Sequence, residues 1–186
     1  MSLFQCRMCS ENPFLSLFGE PQKDRDRERG ADRKPKPREP PQKKPVSRRN
    51  EAAFQQRTDE EVRAIVRQWE QYAHPRARDF FTTPEGLAEV LMQLAKGTDK
   101  NEDCVLGPEE KCVHWYGDVT EDLQAVIRMV KPQEPTESVT YVNRVLAFIF
   151  ATDESFEQLM GLPKEPFKMS CNDQLCVNLG HIRVTT

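Results

Sequence analysis

The chain has 186 residues, of which 37% are hydrophobic and 31% charged, and its net charge is −3. This length suits one domain of ordinary size plus some sequence that never enters a core, and the 14 prolines indicate the same. The longest apolar stretch, residues 145–152, is too short to cross a bilayer, and no leader pattern opens the chain. We therefore expect neither a membrane span nor a signal peptide.

Residues 1–20 form a short apolar segment that contains a Cys-x-x-Cys pair, Cys6 and Cys9. Our default interpretation is an inert or disordered pair. An alternative is that the two cysteines form half of a second zinc site, which Cys104 or a partner chain would complete. A redox pair is disfavoured because no strand-to-helix context surrounds the two cysteines. The apolar string at residues 14–18 is either a docking segment that orders on binding or a segment that folds back on the body.

Residues 21–56 are predicted to be a disordered linker, because they are rich in proline and charge and nearly free of apolar residues. Residues 21–50 have 12 basic and 5 acidic residues, a net charge of +7, whereas residues 51–186 have 14 and 23, a net charge of −9. The basic arm fits a solvated linker, a nuclear localisation signal or a contact with phosphates. Its candidate residues are Arg33, Lys34, Lys36, Lys43, Lys44, Arg48 and Arg49.

The helical region is predicted at residues 57–97. Thr58 and Glu61 have the spacing of a capping box, in which each satisfies a free amide of the other, and Pro75 is expected to end the helix that follows. A second helix is predicted from Thr83-Pro84 to Gly97. The inward faces are expected to consist of Val62, Ile65, Val66 and Trp69 and of Leu87, Val90, Leu91 and Leu94. The region is either an accessory to the following domain or a subdomain of its own.

Residues 98–186 are predicted to form a small zinc-binding domain. Short strands are expected at residues 112–117 and 123–130, with a polar turn between them, and a helix at residues 141–151. The predicted fold class is α+β: a zinc-stabilised domain with a short β-hairpin and helices, preceded by two helices and a disordered N-terminal region.

The zinc site is predicted from three ligand-type residues, Cys171, Cys176 and His181, which lie within eleven residues. Zinc prefers four thiolate or imidazole ligands in a tetrahedron, and four residues between successive ligands let a loop curl around one ion. Cysteines buried simply as small apolar residues are the alternative, which a cluster beside a polar loop disfavours. The candidates for the fourth ligand are Cys112, which we favour, and Cys104 and His114.

Three fragments of the sequence resemble a known family. They are Cys112-Val-His-Trp115-Tyr-Gly117, Asn143-Arg-Val-Leu-Ala147 and Cys171-x4-Cys176-Val-Asn178-x2-His181. Together they resemble the zinc-binding region of His-Me finger (HNH-type) homing endonucleases, to which the zinc-containing N-terminal domain of Smad transcription factors is related. The resemblance covers residues 112–184, less than half of the chain, and implies a structural Zn²⁺.

The resemblance also implies where catalytic residues would lie. In these endonucleases a histidine two residues before the second zinc cysteine activates water, and here that residue is Met169, whose thioether cannot take a proton at neutral pH. The family's magnesium-binding asparagine lies on a helix beyond the zinc histidine, and only five residues follow His181. We therefore expect a nuclease-dead protein. His114 as an alternative general base is less expected than a surface or second-shell role, and Asp173 is expected to be solvated or to orient a ligand.

Two binding functions remain open. We favour a non-catalytic protein-interaction adaptor or regulator, nuclear or nucleocytoplasmic, because the zinc ligands are kept where the catalytic residues are lost. The alternative is a nucleic-acid-binding regulatory protein, supported by the basic arm and opposed by the acidic body, since a surface that docks on a polyanion should be basic. An active nuclease is a remote alternative. Protein partners are expected, nucleic acid only through the arm, and no membrane.

Overall fold

The computed structural model describes residues 51–131 and 136–183. Predictions about Cys6, Cys9, the apolar string and the basic arm lie outside the described residues. The described part is α+β, as predicted, and none of its helices has the length and apolar character that crossing a membrane requires. Its elements are a 3-10 turn Glu51–Ala53, α1 Asp59–Glu70, α2 Pro75–Phe81, α3 Pro84–Lys96, β1 Val126–Val130, β2 Glu137–Tyr141, α4 Val142–Phe150, α5 Asp153–Met160 and a 3-10 turn Leu179–His181.

Helix α1 begins at the predicted capping box. The amide of Glu61 donates to the Thr58 hydroxyl (3.3 Å), and the amide of Thr58 donates to the Glu61 carboxylate (2.7 Å). The expectation that this helix runs to Pro75 was wrong, because α1 ends at Glu70 and Pro75 begins α2. Proline is favoured in the first helical turn, where its missing N–H has no partner to lose.

Helices α3 and α4 lie where the sequence predicts them. Gly97 caps α3, whose predicted inward residues are buried. In α4, Val142, Val145, Leu146 and Ile149 are buried as well. Most buried apolar side chains form one large cluster that contains residues of α1, α2, α3, α4 and the loop around Leu175. This cluster spans the predicted boundary between the helical region, residues 57–97, and the domain at residues 98–186. Helices and ligand-bearing loops therefore share a core.

The β-hairpin differs from the predicted one. Strand β1 pairs antiparallel with β2, in a register that joins Val126 to Tyr141 and Val130 to Glu137. Residues 112–117 form no strand and make only isolated bridges, His114 with Cys176 among them. The reason is that this segment lies between the end of α3 and the C-terminal loop and has a different backbone partner on each side.

Three buried arginines, Arg57, Arg76 and Arg144, connect elements that no sheet joins. Each guanidinium donates to backbone carbonyls: Arg57 to Ala95 at 2.6 Å, Arg76 to Phe148 at 2.9 Å, and Arg144 to Pro163 and Glu165 at 2.7 Å. Burial lowers the pKa of all three guanidinium groups from its ordinary value. The carbonyls that they bind include those at the ends of α3 and α4, which no helical amide reaches.

Candidate metal centre

The structure brings together the four side chains predicted as zinc ligands, Cys112, Cys171, Cys176 and His181. One sulfur or nitrogen atom of each lies within 4.8 Å of the others. The Nδ1 atom of His181 is 3.3 Å from the Cys176 sulfur and 3.9 Å from the Cys112 sulfur. A tetrahedral zinc ion, with its usual bond lengths, would separate sulfur and nitrogen by about 3.6 Å. The spacing of the donor atoms therefore fits one ion of this kind.

Two chain segments, far apart in sequence, place the ligands. Next to Cys112, the amide of Trp115 donates to the Leu175 carbonyl (2.8 Å) and the Val113 carbonyl accepts from Val177 (2.7 Å). The bonded residues Leu175 and Val177 lie immediately before and after Cys176. These two hydrogen bonds therefore place the Cys176 thiol next to the Cys112 thiol. The first segment is therefore joined to the C-terminal loop by its backbone.

The C-terminal loop is closed at its base. The amide of Ser170 donates to the His181 carbonyl (2.7 Å), and Met169 forms a bridge with Ile182. At Asn172 the backbone turns with a φ of 56°, a left-handed conformation that asparagine adopts more readily than most residues. This turn lets Cys171 face the same point as His181.

His181 is oriented by the backbone of the preceding segment. Its Nε2 lies at hydrogen-bonding distance from the carbonyl oxygen of Glu109. Because a carbonyl only accepts, Nε2 holds the proton and Nδ1 keeps a free lone pair directed at the thiols. The imidazole therefore has the tautomer that a metal ligand requires.

Asn178 joins the same two segments through its side chain, which is 2% exposed. Its amide group donates to the carbonyls of Lys111 (2.7 Å) and Pro108 (3.0 Å), and its oxygen accepts from the Gly180 amide (2.9 Å). One side chain thus holds the residue before Cys112 and the turn before His181. The asparagine belongs to the fragment that carries the family resemblance, but its role was not predicted.

Burial disfavours the thiolate form of two of the three cysteines. Cys176 is buried, while Cys112 and Cys171 are half-buried. Burial raises the pKa of the Cys176 thiol, and burial together with the neighbouring Cys171 raises the pKa of Cys112. Without a counter-charge, the thiolates are disfavoured, whereas a metal cation stabilises them. Three sulfurs and one imidazole form a soft donor set of the kind that zinc takes.

The two rival ligands lie outside this cluster. Cys104 is in the core and 1% exposed, and burial raises the pKa of its thiol. His114 directs Nε2 at the Asp173 carboxylate, 3.3 Å away. The expectation that Asp173 is solvated was wrong, because the residue is 4% exposed. Its second carboxylate oxygen accepts from the Leu175 amide (3.0 Å) inside the loop. The pairing of His114 with Asp173 could not be predicted, because the two residues are 59 positions apart in the sequence.

The position where the resemblance would place a catalytic histidine is apolar and buried. Met169 is 5% exposed, and its sulfur lies 4.0 Å from the side-chain nitrogen of Asn143. That nitrogen also donates to the Phe167 carbonyl (2.7 Å). The contacts of Met169 are therefore those of a core residue.

Comparisons with models of known protein families, with curated proteins and with solved structures find no match to this chain. The resemblance to HNH-type endonucleases remains a prediction that rests on residues 112–184. The geometry by itself establishes a Cys3His cluster that could hold a metal ion.

Proposed function

We propose that this chain is a non-catalytic zinc module that acts as a protein-interaction adaptor or regulator in the nucleus or nucleocytoplasm. The observation that carries the proposal is the closed donor set of Cys112, Cys171, Cys176 and His181. A zinc ion with four protein ligands has no open position for water or substrate, which is the arrangement of structural sites rather than catalytic ones. The ion would then hold a surface in place.

The surroundings of the site support a binding role over hydrolysis. Met169 cannot act as a base, and the Nε2 atom of His114 faces a buried carboxylate rather than solvent. The net charge of −9 on residues 51–186 favours a protein partner over a polyanion. The net charge of +7 on residues 21–50 favours the second candidate, a nucleic-acid-binding regulator.

The metal is tested by elemental analysis of the purified full-length protein. We expect about one zinc per chain, retained in Cys104→Ala and lost in the double variant Cys171→Ser, Cys176→Ser. Cys104→Ala is the matched control because that cysteine is buried outside the cluster. A wild-type protein without metal, or with a metal other than zinc, would overturn the zinc assignment.

The partner class is tested by affinity capture and by DNA binding. We expect the adaptor to retain protein partners that the double cysteine variant loses. We also expect any salt-dependent binding to duplex DNA to disappear when Lys43, Lys44, Arg48 and Arg49 are replaced by glutamine. DNA binding that survives this change and is lost in the cysteine variant would decide for the nucleic-acid candidate.

A further inference from the structure

A buried histidine–carboxylate pair lies beside the metal ligands. The Nε2 atom of His114 is 3.3 Å from Oδ2 of Asp173, and the two side chains are 18% and 2% exposed. Neither atom has a hydrogen-bond partner among the described residues. Contact between these two polar groups therefore offsets part of the free-energy cost of burying each of them.

The pair joins the two ligand-bearing segments. His114 lies two residues after Cys112, and Asp173 lies two residues after Cys171, so each partner is carried by a backbone that also carries a ligand. His114 in addition forms a backbone bridge with Cys176. The pair therefore links the two ligand-bearing segments in addition to the backbone contacts between them.

Asp173 also shapes the loop between the two cysteines. Its carboxylate accepts from the Leu175 amide (3.0 Å), and its carbonyl accepts from the Cys176 amide (3.2 Å). These bonds fold residues 173–176 into a turn and point the Cys176 thiol back towards Cys171. One oxygen of this carboxylate thus orders the loop, while the other lies beside the His114 ring.

We propose that His114 and Asp173 are positioning residues of the metal site, whose pairing acts with the backbone bonds to fix the separation of the Cys112 segment from the Cys171–Cys176 loop before the ion binds. The inference rests on the proposed metal centre and adds the device that arranges it. Outer-shell groups of this kind typically change metal affinity about 10–100-fold when they are replaced.

A pair with a purely structural role makes a different prediction. It would stabilise the metal-free and metal-bound forms equally, so its loss would lower stability without changing the metal dissociation constant. A positioning pair must change that constant, because it alters how well the free site matches the ion.

The experiment titrates full-length protein with Co²⁺, followed by competition with Zn²⁺. The Co²⁺ absorption bands report both affinity and coordination geometry. The variants are His114→Gln and Asp173→Asn, and the matched control is His74→Gln. His74 forms the comparable pair with Asp153 (3.2 Å), whose carboxylate is 76% exposed, and neither residue belongs to the ligand cluster.

We expect His114→Gln to weaken Co²⁺ binding about tenfold or more and to alter the bands, while His74→Gln leaves both unchanged. Asp173→Asn keeps an acceptor for the Leu175 amide, so this variant should stay folded. We expect it to lose less Co²⁺ affinity than His114→Gln. An unchanged dissociation constant in both site variants would overturn the inference. Absence of Co²⁺ binding by the wild type would overturn the metal centre itself, and the inference with it.

Discussion

The ring of Trp115 lies directly against the α-carbon of Gly97, so that a methyl group there would come within 2.2 Å of the ring. Gly117 meets the same ring, at 2.5 Å for the corresponding atom, and Trp115 is 2% exposed. The indole nitrogen donates to the Asp118 carbonyl (2.8 Å). The end of α3 and the Cys112–Gly117 segment are therefore packed on one side chain that leaves no room for a larger residue.

Replacing Gly97 by alanine should destabilise the protein by about 3 kcal/mol, because the tryptophan must move out of a close-packed site. Gly161→Ala is the control, since the nearest atom to its new methyl group, the Gln158 carbonyl oxygen, would be at an ordinary 3.5 Å. Urea unfolding of both variants measures the difference. Equal unfolding free energies for the two variants would contradict this account of the packing.

Replacing Asn178 by alanine should lower the unfolding free energy by about 2 kcal/mol, since it leaves buried carbonyls of the ligand-bearing segment without a donor. Asn178→Asp keeps the acceptor for the Gly180 amide and loses both donors, so we expect at least as large a loss. Denaturant titration with zinc in excess measures both. A stable aspartate variant would mean that the hydrogen bonds to Pro108 and Lys111 contribute little.

Arg57→Lys should destabilise the protein by about 2–3 kcal/mol, although it preserves the charge. The guanidinium of Arg57 donates to the carbonyls of Ala95, Thr98 and Glu102 at once, and an ammonium cannot reproduce that planar fork. The same substitution at the exposed Arg63 is the control and should be nearly neutral. Thermal unfolding measures the difference, and equal melting temperatures for Arg57→Lys and Arg63→Lys would contradict this prediction.

Asp99 should make stability depend on pH in the acid range. Burial raises its pKa, but hydrogen bonds from the amides of Asn101 and Gln55 and the charge of Arg57 outweigh that effect, so its pKa lies below the ordinary 3.8. Stability from this group is present above pH 3.8 and is lost as the pH falls through the lowered pKa.

The measurement is the difference in unfolding free energy between the wild type and Asp99→Asn. The wild type should be more stable at pH 7, and the gap should close below about pH 4. Acid loss of metal cancels in this difference, because both proteins have the same four ligands. A gap that is constant with pH would show that the charge of Asp99 makes no contribution.

Features coded by neighbouring residues could be predicted from the sequence. The capping box of Thr58 and Glu61 and the proline after Thr83 signal helix starts locally, and both helices begin there. The spacing of Cys171, Cys176 and His181 is likewise local, and the structure brings them together with the favoured Cys112.

Features that depend on distant contacts could not be predicted. Helix α2 has seven residues, too few for a periodic pattern to stand out. Residues 112–117 alternate like a strand, but their backbone partners are Gly97 and Leu175, which no local pattern identifies. The pairing of His114 with Asp173 is of the same kind, since only the folded chain brings these two segments together.

The hydrogen bond between His181 and the Glu109 carbonyl makes the imidazole's orientation independent of a side chain. A substitution scan would therefore find position 109 permissive to most residues, even though its peptide group determines which nitrogen faces the thiols. Residues that are easily exchanged can thus hold a peptide bond that is indispensable.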